Sequence, residues 1–493
     1  MKILIKSRNV CPEKYLRGVG DKSAVRARCF WSANRTPSKT FRHTFLFLFL
    51  SLFLSFVVHT QEVEASRLAT IQYGTETEIA ALIQTLRNEN ADYLDNELIA
   101  LIDNTHNQRI LSGVFGFFGE REKNGLETRA IKAIAEREDE TNETVLSALD
   151  YLGRVKSAEA VPVIMELLGT EERRFLGVGF RALGRASSAD RNLADEAAEF
   201  LIEYYEYREP GNENQREIIT AIGAAGSPKG VSFLAGIATN TDERIPLRIA
   251  ALDSLSKIGD SDGLEAVLEC VSTNDPNVRS SAVAALGPFS GDAVDRAILD
   301  AFRDSYYRTR IAAAQASRER RLVSAVPYLR YRAERDEVPN VKDEAIRALG
   351  AIANQEAIEV LDSLFSEQKN SDRVRILAAE MLMKHTAERN LTRLIAALEE
   401  ARTRNMTVLS NGLLKVLGET VVEGDTSEME NIARRFMQNG TVIEKLYGLD
   451  MAANNNLRSL RAEIMTLAMD RNESIARKAR RIAERLGIEI PNE

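Results

Sequence analysis

Apolar residues fall along this chain in short stripes separated by brief polar breaks. In "KDEAIRALGAIANQEAIEVLDSLF", 342–365, Ala345, Ile346, Leu349 and Ile352 are spaced for one face of a helix. After a break around Asn354, a second stripe follows in Ala357, Ile358, Leu361, Leu364 and Phe365. The link is too short for anything but an antiparallel helix pair. The same pattern returns in 144–168 through Ala148, Leu149, Leu152, Val155, Ala160, Val161 and Ile164. It returns again in 247–271 through Ala251, Leu252, Leu255, Ile258, Leu264 and Val267. Taking the Leu349 position as a marker gives Phe118, Leu152, Leu183, Ile222, Leu255, Leu286, Ser317, Leu349, Leu382, Leu417, Ala452 and Leu486. Their separations run from 31 to 39. No strand pattern interrupts the series, so the fold class is all-α.

One such pair is too small to bury its own apolar faces, so pairs must stack and share a continuous core. Alanine at the start of each stripe lets helices approach closely. A glycine follows the marker at 119, 153, 184, 223, 287, 350, 418 and 487, where it is expected to supply a left-handed helix cap. Pro162, Pro246 and Pro276 fall near expected helix starts, where a missing N–H is tolerated.

The pattern resembles HEAT repeats, in particular the Ala- and Gly-marked variety called PBS-lyase-like. The resemblance covers roughly residues 75–488 and weakens at 305–335, where Ser317 replaces the marker leucine, and at 425–470. It implies a right-handed α-solenoid of about twelve helix-pair repeats, with the second helices lining a concave face. The basic segment "ESIARKARRIAERLG" reads as a C-terminal cap, so 471–493 is the closing helix and tail of a solenoid spanning 66–493.

The first 65 residues are different. A basic stretch precedes "FLFLFLSLFLSFVV", Phe45–Val58, an apolar run of 14 residues. That is short for a bilayer span of roughly 20 and suits a signal-peptide core, with a cut expected after Ala65. The segment carries 11 Lys/Arg and 4 Asp/Glu, so its removal takes the net charge from −8 to −8 − 7 = −15. Cys11 and Cys29 would leave with it, and Cys270 alone could form no internal disulfide. An acidic surface of this size argues against nucleic acid as a partner. The protein is expected to be exported, to a periplasm or the extracellular space; a retained leader would instead tether it to a membrane.

Chemistry is sparse. His106, in the connection "DNTHNQ", reads as solvated, and His385 stands where Ile352 sits in the template, so it reads as a packed imidazole. Two distant histidines and Cys270, itself expected in the core, make no metal site. Some hydroxylases of HEAT type bind iron through His-Glu pairs, but here His106 precedes Asn107 and His385 precedes Thr386. The acidic run 136–140 reads as solvated. No nucleophile elbow or phosphate-binding loop is present, so neither catalysis nor a cofactor is expected. A lyase or hydroxylase of this repeat class is the enzymatic alternative.

Departures from the repeat are where a partner would bind. Residues 302–336 hold nine arginines and four tyrosines, and no lysine. The register puts Val326 and Leu329 in the core and Tyr328, Tyr331 and Arg335 on one exposed stripe, which the resemblance places on the concave side. Arg308, Arg310, Arg320 and Arg321 flank it. Tyrosine and arginine anchor interfaces, and the guanidinium fork suits carboxylates, so an acidic protein or peptide is the expected partner. The competing account has these arginines paired with acids of adjacent repeats and the tyrosines packed between them. A second departure, 197–215, lengthens one repeat through an extended second helix and a polar loop. The reading that results is an exported, non-catalytic scaffold that binds a protein or peptide.

Overall fold

A computed structural model describes residues 63–208 and 210–489. The basic leader and the apolar run Phe45–Val58 lie outside the described residues. The chain divides into a unit Met1–Ala69 and a unit Thr70–Glu493.

The described residues of the second unit form helices and no strands. Twelve helix pairs, from Glu76–Glu89 with Asp95–Asn104 to Val442–Asn454 with Arg461–Ala468, precede a single last helix, Glu473–Arg485. One pair departs from the scheme: Asp372–Thr403 runs through as one helix bent at Thr386, whose φ of −139° and ψ of 26° leave the helical region. The second helix of the long repeat runs from Arg191 to Tyr207, as its sequence implies. Capping side chains start many helices. Thr141 accepts from the Thr144 N–H, and Thr441 with Glu444 closes a reciprocal box.

The core is one continuous string of aliphatic and aromatic side chains from Ile71 to Ile488, without a break between pairs. Every marker residue from Phe118 to Leu486 is buried, Ser317 included. Stability therefore comes from each pair's neighbours as much as from within the pair.

The glycines after the marker do something other than expected. Only Gly487, at φ +67°, is left-handed among them. The others lie where the next first helix comes close. A Cβ on Gly153 would stand 2.8 Å from the Ala182 Cα, and one on Gly184 equally near the Ala221 Cα. The left-handed turn falls instead four residues after the marker, at Glu122, Lys156, Gly226, Gly259, Arg321, Ala353 and Asn456. Glycine is thus spent on helix–helix distance, and the turn is made by whatever residue stands there.

A second regularity lies seven residues before the marker. Arg248, Arg279, Arg310, Lys342, Arg375 and Lys445 occupy this position in six repeats. Each ties the start of its first helix to the end of a second helix. Arg248 donates to the Ala238 carbonyl at 2.9 Å, Arg375 to the Phe365 carbonyl at 3.0 Å, and Lys342 to the Glu334 carbonyl at 3.0 Å. Arg279 reaches Asp304 at 2.8 Å, and Lys445 reaches Asp470 at 3.0 Å.

Candidate functional site

The solenoid has two rows of helices with unequal spacing. Consecutive first helices pack along their length, down to glycine-on-backbone contact, while consecutive second helices meet over shorter stretches. Asp253, on a first helix, has its carboxyl pushed above the usual value by desolvation, against the pull of Lys257 and Arg216. Tyr328, Tyr331 and Arg335 belong to the helix Val326–Arg335 of the other row.

Two of the seven residues singled out in sequence, Tyr328 and Tyr331, line a groove, and the five arginines do not. Arg310 is spent inside the fold. Its Nε and Nη2 donate to the Asp336 carboxylate at 2.8 and 2.9 Å, and its Nη1 to the carbonyls of Asp304 and Ser305, both at 3.0 Å. It is 9% exposed and unavailable to a partner. Arg320 is likewise engaged, with the Phe289 carbonyl and with Asp295 at 2.7 Å. Arg308 is exposed on a first helix, its Nε donating to the Tyr307 hydroxyl at 3.2 Å, and does not line the groove.

Phe302, Arg303, Pro327, Tyr328, Tyr331 and Arg332 line that groove, of about 400 Å³, between the ends of two second helices. Tyr328 is half-buried and stacks on Phe302 with ring centres 5.7 Å apart. Arg303 lies over the Tyr328 ring at 5.3 Å and donates to its hydroxyl at 3.4 Å. Tyr331 is 55% exposed, with Arg332 against its ring at 5.3 Å. Arg332 itself is held by Asp336 at 3.3 Å and by the Phe302 carbonyl. Arg335 and Arg321 are exposed, and neither has an ion-pair partner among the described residues. Both accounts of this segment are thus partly realised: Arg310, Arg320 and Arg332 serve the fold, while Tyr331, Arg303, Arg321 and Arg335 face solvent.

Sequence reasoning missed Phe302, Arg303 and Pro327, because these come together only across the interface between two pairs. Their signal was the aromatic-arginine step Phe302-Arg303 at the end of one second helix, one repeat before Tyr328. A further groove of about 410 Å³ on the row of first helices is lined by Gly116, Leu146, Ser147 and Val178, with Glu143, Asp150 and Arg181.

Elsewhere the expected chemistry is quiet. Cys270 is buried, donates to the Ala238 carbonyl at 3.3 Å, and has its thiol pushed up by burial. His385 is not packed. At the bend the chain leaves the buried stripe, and the ring is exposed with Nε2 2.6 Å from the Gly350 carbonyl. In the acidic run, Glu140 is mostly buried against Arg129 at 2.8 Å rather than solvated. No cluster of metal-ligating side chains occurs among the described residues.

Among solved structures, a protein of Escherichia coli, YibA, aligns at 16% identity over 53% of this chain and 96% of its own, with a TM-score of 0.35. Kap121p bound to Pho4p aligns at 11% over 85% and 53%, with a TM-score of 0.42, so this chain spans about half its length. Importin beta aligns at 13% over 87% and 70%, with a TM-score of 0.39. No curated protein matches. The family model described as "Spirochaete HEAT repeat protein" matches residues 71–482, which takes in all twelve pairs and most of the last helix. The chain belongs to the spirochaete HEAT repeat protein family.

Proposed function

We propose that this protein is an exported, non-catalytic scaffold that binds a protein or peptide partner, and that it grips an acidic segment at the groove of Phe302, Pro327, Tyr328 and Tyr331. The observation that carries the reading is the pairing of exposed aromatic surface with weakly held guanidinium. Tyr331 offers 55% of its surface, and the one ion pair of Arg303 among the described residues is an exposed one with Asp300 at 3.0 Å. Such a pair is worth at most about 1 kcal/mol and gives way readily to a better-placed carboxylate. A partner carboxylate could take the Arg303 fork while an apolar side chain beside it covers Tyr331 and Pro327. Arg335, one turn beyond Tyr331, extends the basic edge.

The test is affinity capture with the unaltered protein and with the triple variant Arg303→Glu, Tyr331→Ala, Arg335→Glu. All three side chains are exposed, so the circular dichroism spectrum should be unchanged. Loss of a captured protein in the variant, with competition by an acidic peptide, supports the groove. An unchanged set of captured proteins rejects it. Export is tested by intact mass, since cutting after Ala65 removes Trp31, the only tryptophan.

A further inference from the structure

Ion pairs join neighbouring repeats along the array. Arg87 reaches Glu120, Arg393 reaches Asp362, and Arg434 reaches Glu463, each across to the next or previous pair. At the last helix this stitching stops. Lys478 still pairs back to Asp450 at 2.6 Å, and Arg477 pairs with Glu473 of its own helix. Beyond them Arg458, Arg461, Arg471, Arg480, Arg481 and Arg485 are all exposed, and none has an ion-pair partner among the described residues. A capping repeat needs a polar outer face for solubility, but in an acidic protein nothing requires that face to be basic. Residues 458–488 hold 8 Lys/Arg and 4 Asp/Glu, a net of 8 − 4 = +4.

The opposite end has the opposite sign. Residues 70–104 hold 1 Lys/Arg and 7 Asp/Glu, a net of 1 − 7 = −6. Asp95 is committed to Arg121 and Lys123, but Asp92 and Asp103 are exposed and without an ion pair, and Tyr73 is 84% exposed. The two ends thus carry exposed charge of opposite sign.

We propose that the arginine-rich C-terminal end docks onto the acidic first helix pair of a second copy of this chain, head to tail. The contact is heterologous, so it extends into short open chains rather than closing a dimer. It leaves the groove of Tyr331, on the row of second helices, free.

Sedimentation velocity on the purified protein, over a concentration series, tests this. Species larger than one chain are expected at about 0.1 M salt and lost at about 1 M, as the screening length falls from about 10 to about 3 Å. Two variants should each remain monomeric at both salts: Arg480→Glu with Arg481→Glu and Arg485→Glu, and Asp92→Arg with Asp103→Arg. Mixed, they should associate again, because each then meets the sign it needs. A monomer throughout overturns the proposal, as does association that both variants retain. Failure of the mixture to associate overturns it too, and so does assembly that appears only on adding anionic lipid vesicles. Circular dichroism of each variant separates misfolding from lost docking.

Discussion

The guanidinium of Arg310 forks onto the carboxylate of Asp336 with bonds of 2.8 and 2.9 Å, and the Asp336 side chain is wholly buried. One repeat earlier Arg279 meets Asp304 in the same way, at 2.8 and 3.2 Å. The fork closes the ends of a pair: Arg310 opens the first helix, and Asp336 stands just after the second. Asp336 also accepts from the Val338 N–H at 3.0 Å, so one carboxylate fixes the turn into the next pair.

Breaking this pair from one side should cost far more than its net contribution. Arg310→Ala leaves a buried carboxylate with only the Val338 N–H and the longer contact of Arg332, and the expected loss is about 3–5 kcal/mol in urea unfolding. Replacing both partners with apolar residues of similar size, Arg310→Met with Asp336→Leu, should recover most of that loss. Equal damage from the single and double variants would show that packing rather than charge is at stake.

The same carboxylates make stability depend on acid. Burial pushes Asp336 up, but hydrogen bonds from Arg310 and Val338, with the charges of Arg310 and Arg332, more than offset it and hold the carboxyl below its usual value. Asp304 is lowered similarly, burial opposing and Arg279 and the Tyr306 N–H prevailing. A lowered group contributes stability that is fully present above its unfolded value, about 3.9, and is lost as pH falls from there through the folded value. Urea midpoints should therefore be level from pH 7 to 5 and drop below about pH 4. Asp336→Asn, already weakened at neutral pH, should show a shallower drop.

How far the sequence disclosed this molecule depends on which spacing one asks about. Leu349 and its equivalents are buried throughout because a helical stripe has one reading, and the stacking of pairs follows from it. The role of Gly153 or Gly184 was not legible, since a glycine near a helix end serves equally as a cap or as clearance for a neighbour. Only the position of Ala182 or Ala221 decides. Arg310 was legible in principle: it keeps register with Arg248, Arg279, Lys342 and Arg375, and a periodic charge in a repeat protein serves the repeat. Tyr331 and Arg335 keep no such register, and they remain at the surface. Arg303 joined them only through the contact between two pairs, which no single stripe encodes.

Clearance can be measured with two glycines of one helix. Gly184→Ala drives a Cβ to 2.8 Å from the Ala221 Cα and nearer still to its carbonyl oxygen, both backbone atoms that cannot step aside. The repeats must separate, at an expected cost of about 1–3 kcal/mol or more. Gly177, in the same helix Arg173–Ser187, would meet nothing within 4 Å. Gly177→Ala should raise stability by roughly 0.5–1 kcal/mol through helix propensity alone. If both substitutions move the unfolding midpoint the same way, helix-to-helix distance is not what Gly184 protects.

The turn four residues after the marker offers the reverse test. Ala353 holds φ +49°, a left-handed conformation that places its Cβ against the following carbonyl and costs about 1–2 kcal/mol in an L-residue other than glycine. Its N–H still donates to the Leu349 carbonyl at 3.0 Å, so the strain is kept because the turn joins two packed helices. Glycine already stands at the equivalent positions 226 and 259, at φ +75° and +66°. Ala353→Gly should relieve the strain, less the extra freedom glycine has when unfolded, for a net gain of about 0.5–1 kcal/mol. Gly259→Ala should lose a similar amount. The two changes are mirror images at one point of the repeat, so unfolding midpoints that shift in opposite directions would identify this residue, rather than the glycine beside the marker, as the place where the chain reverses.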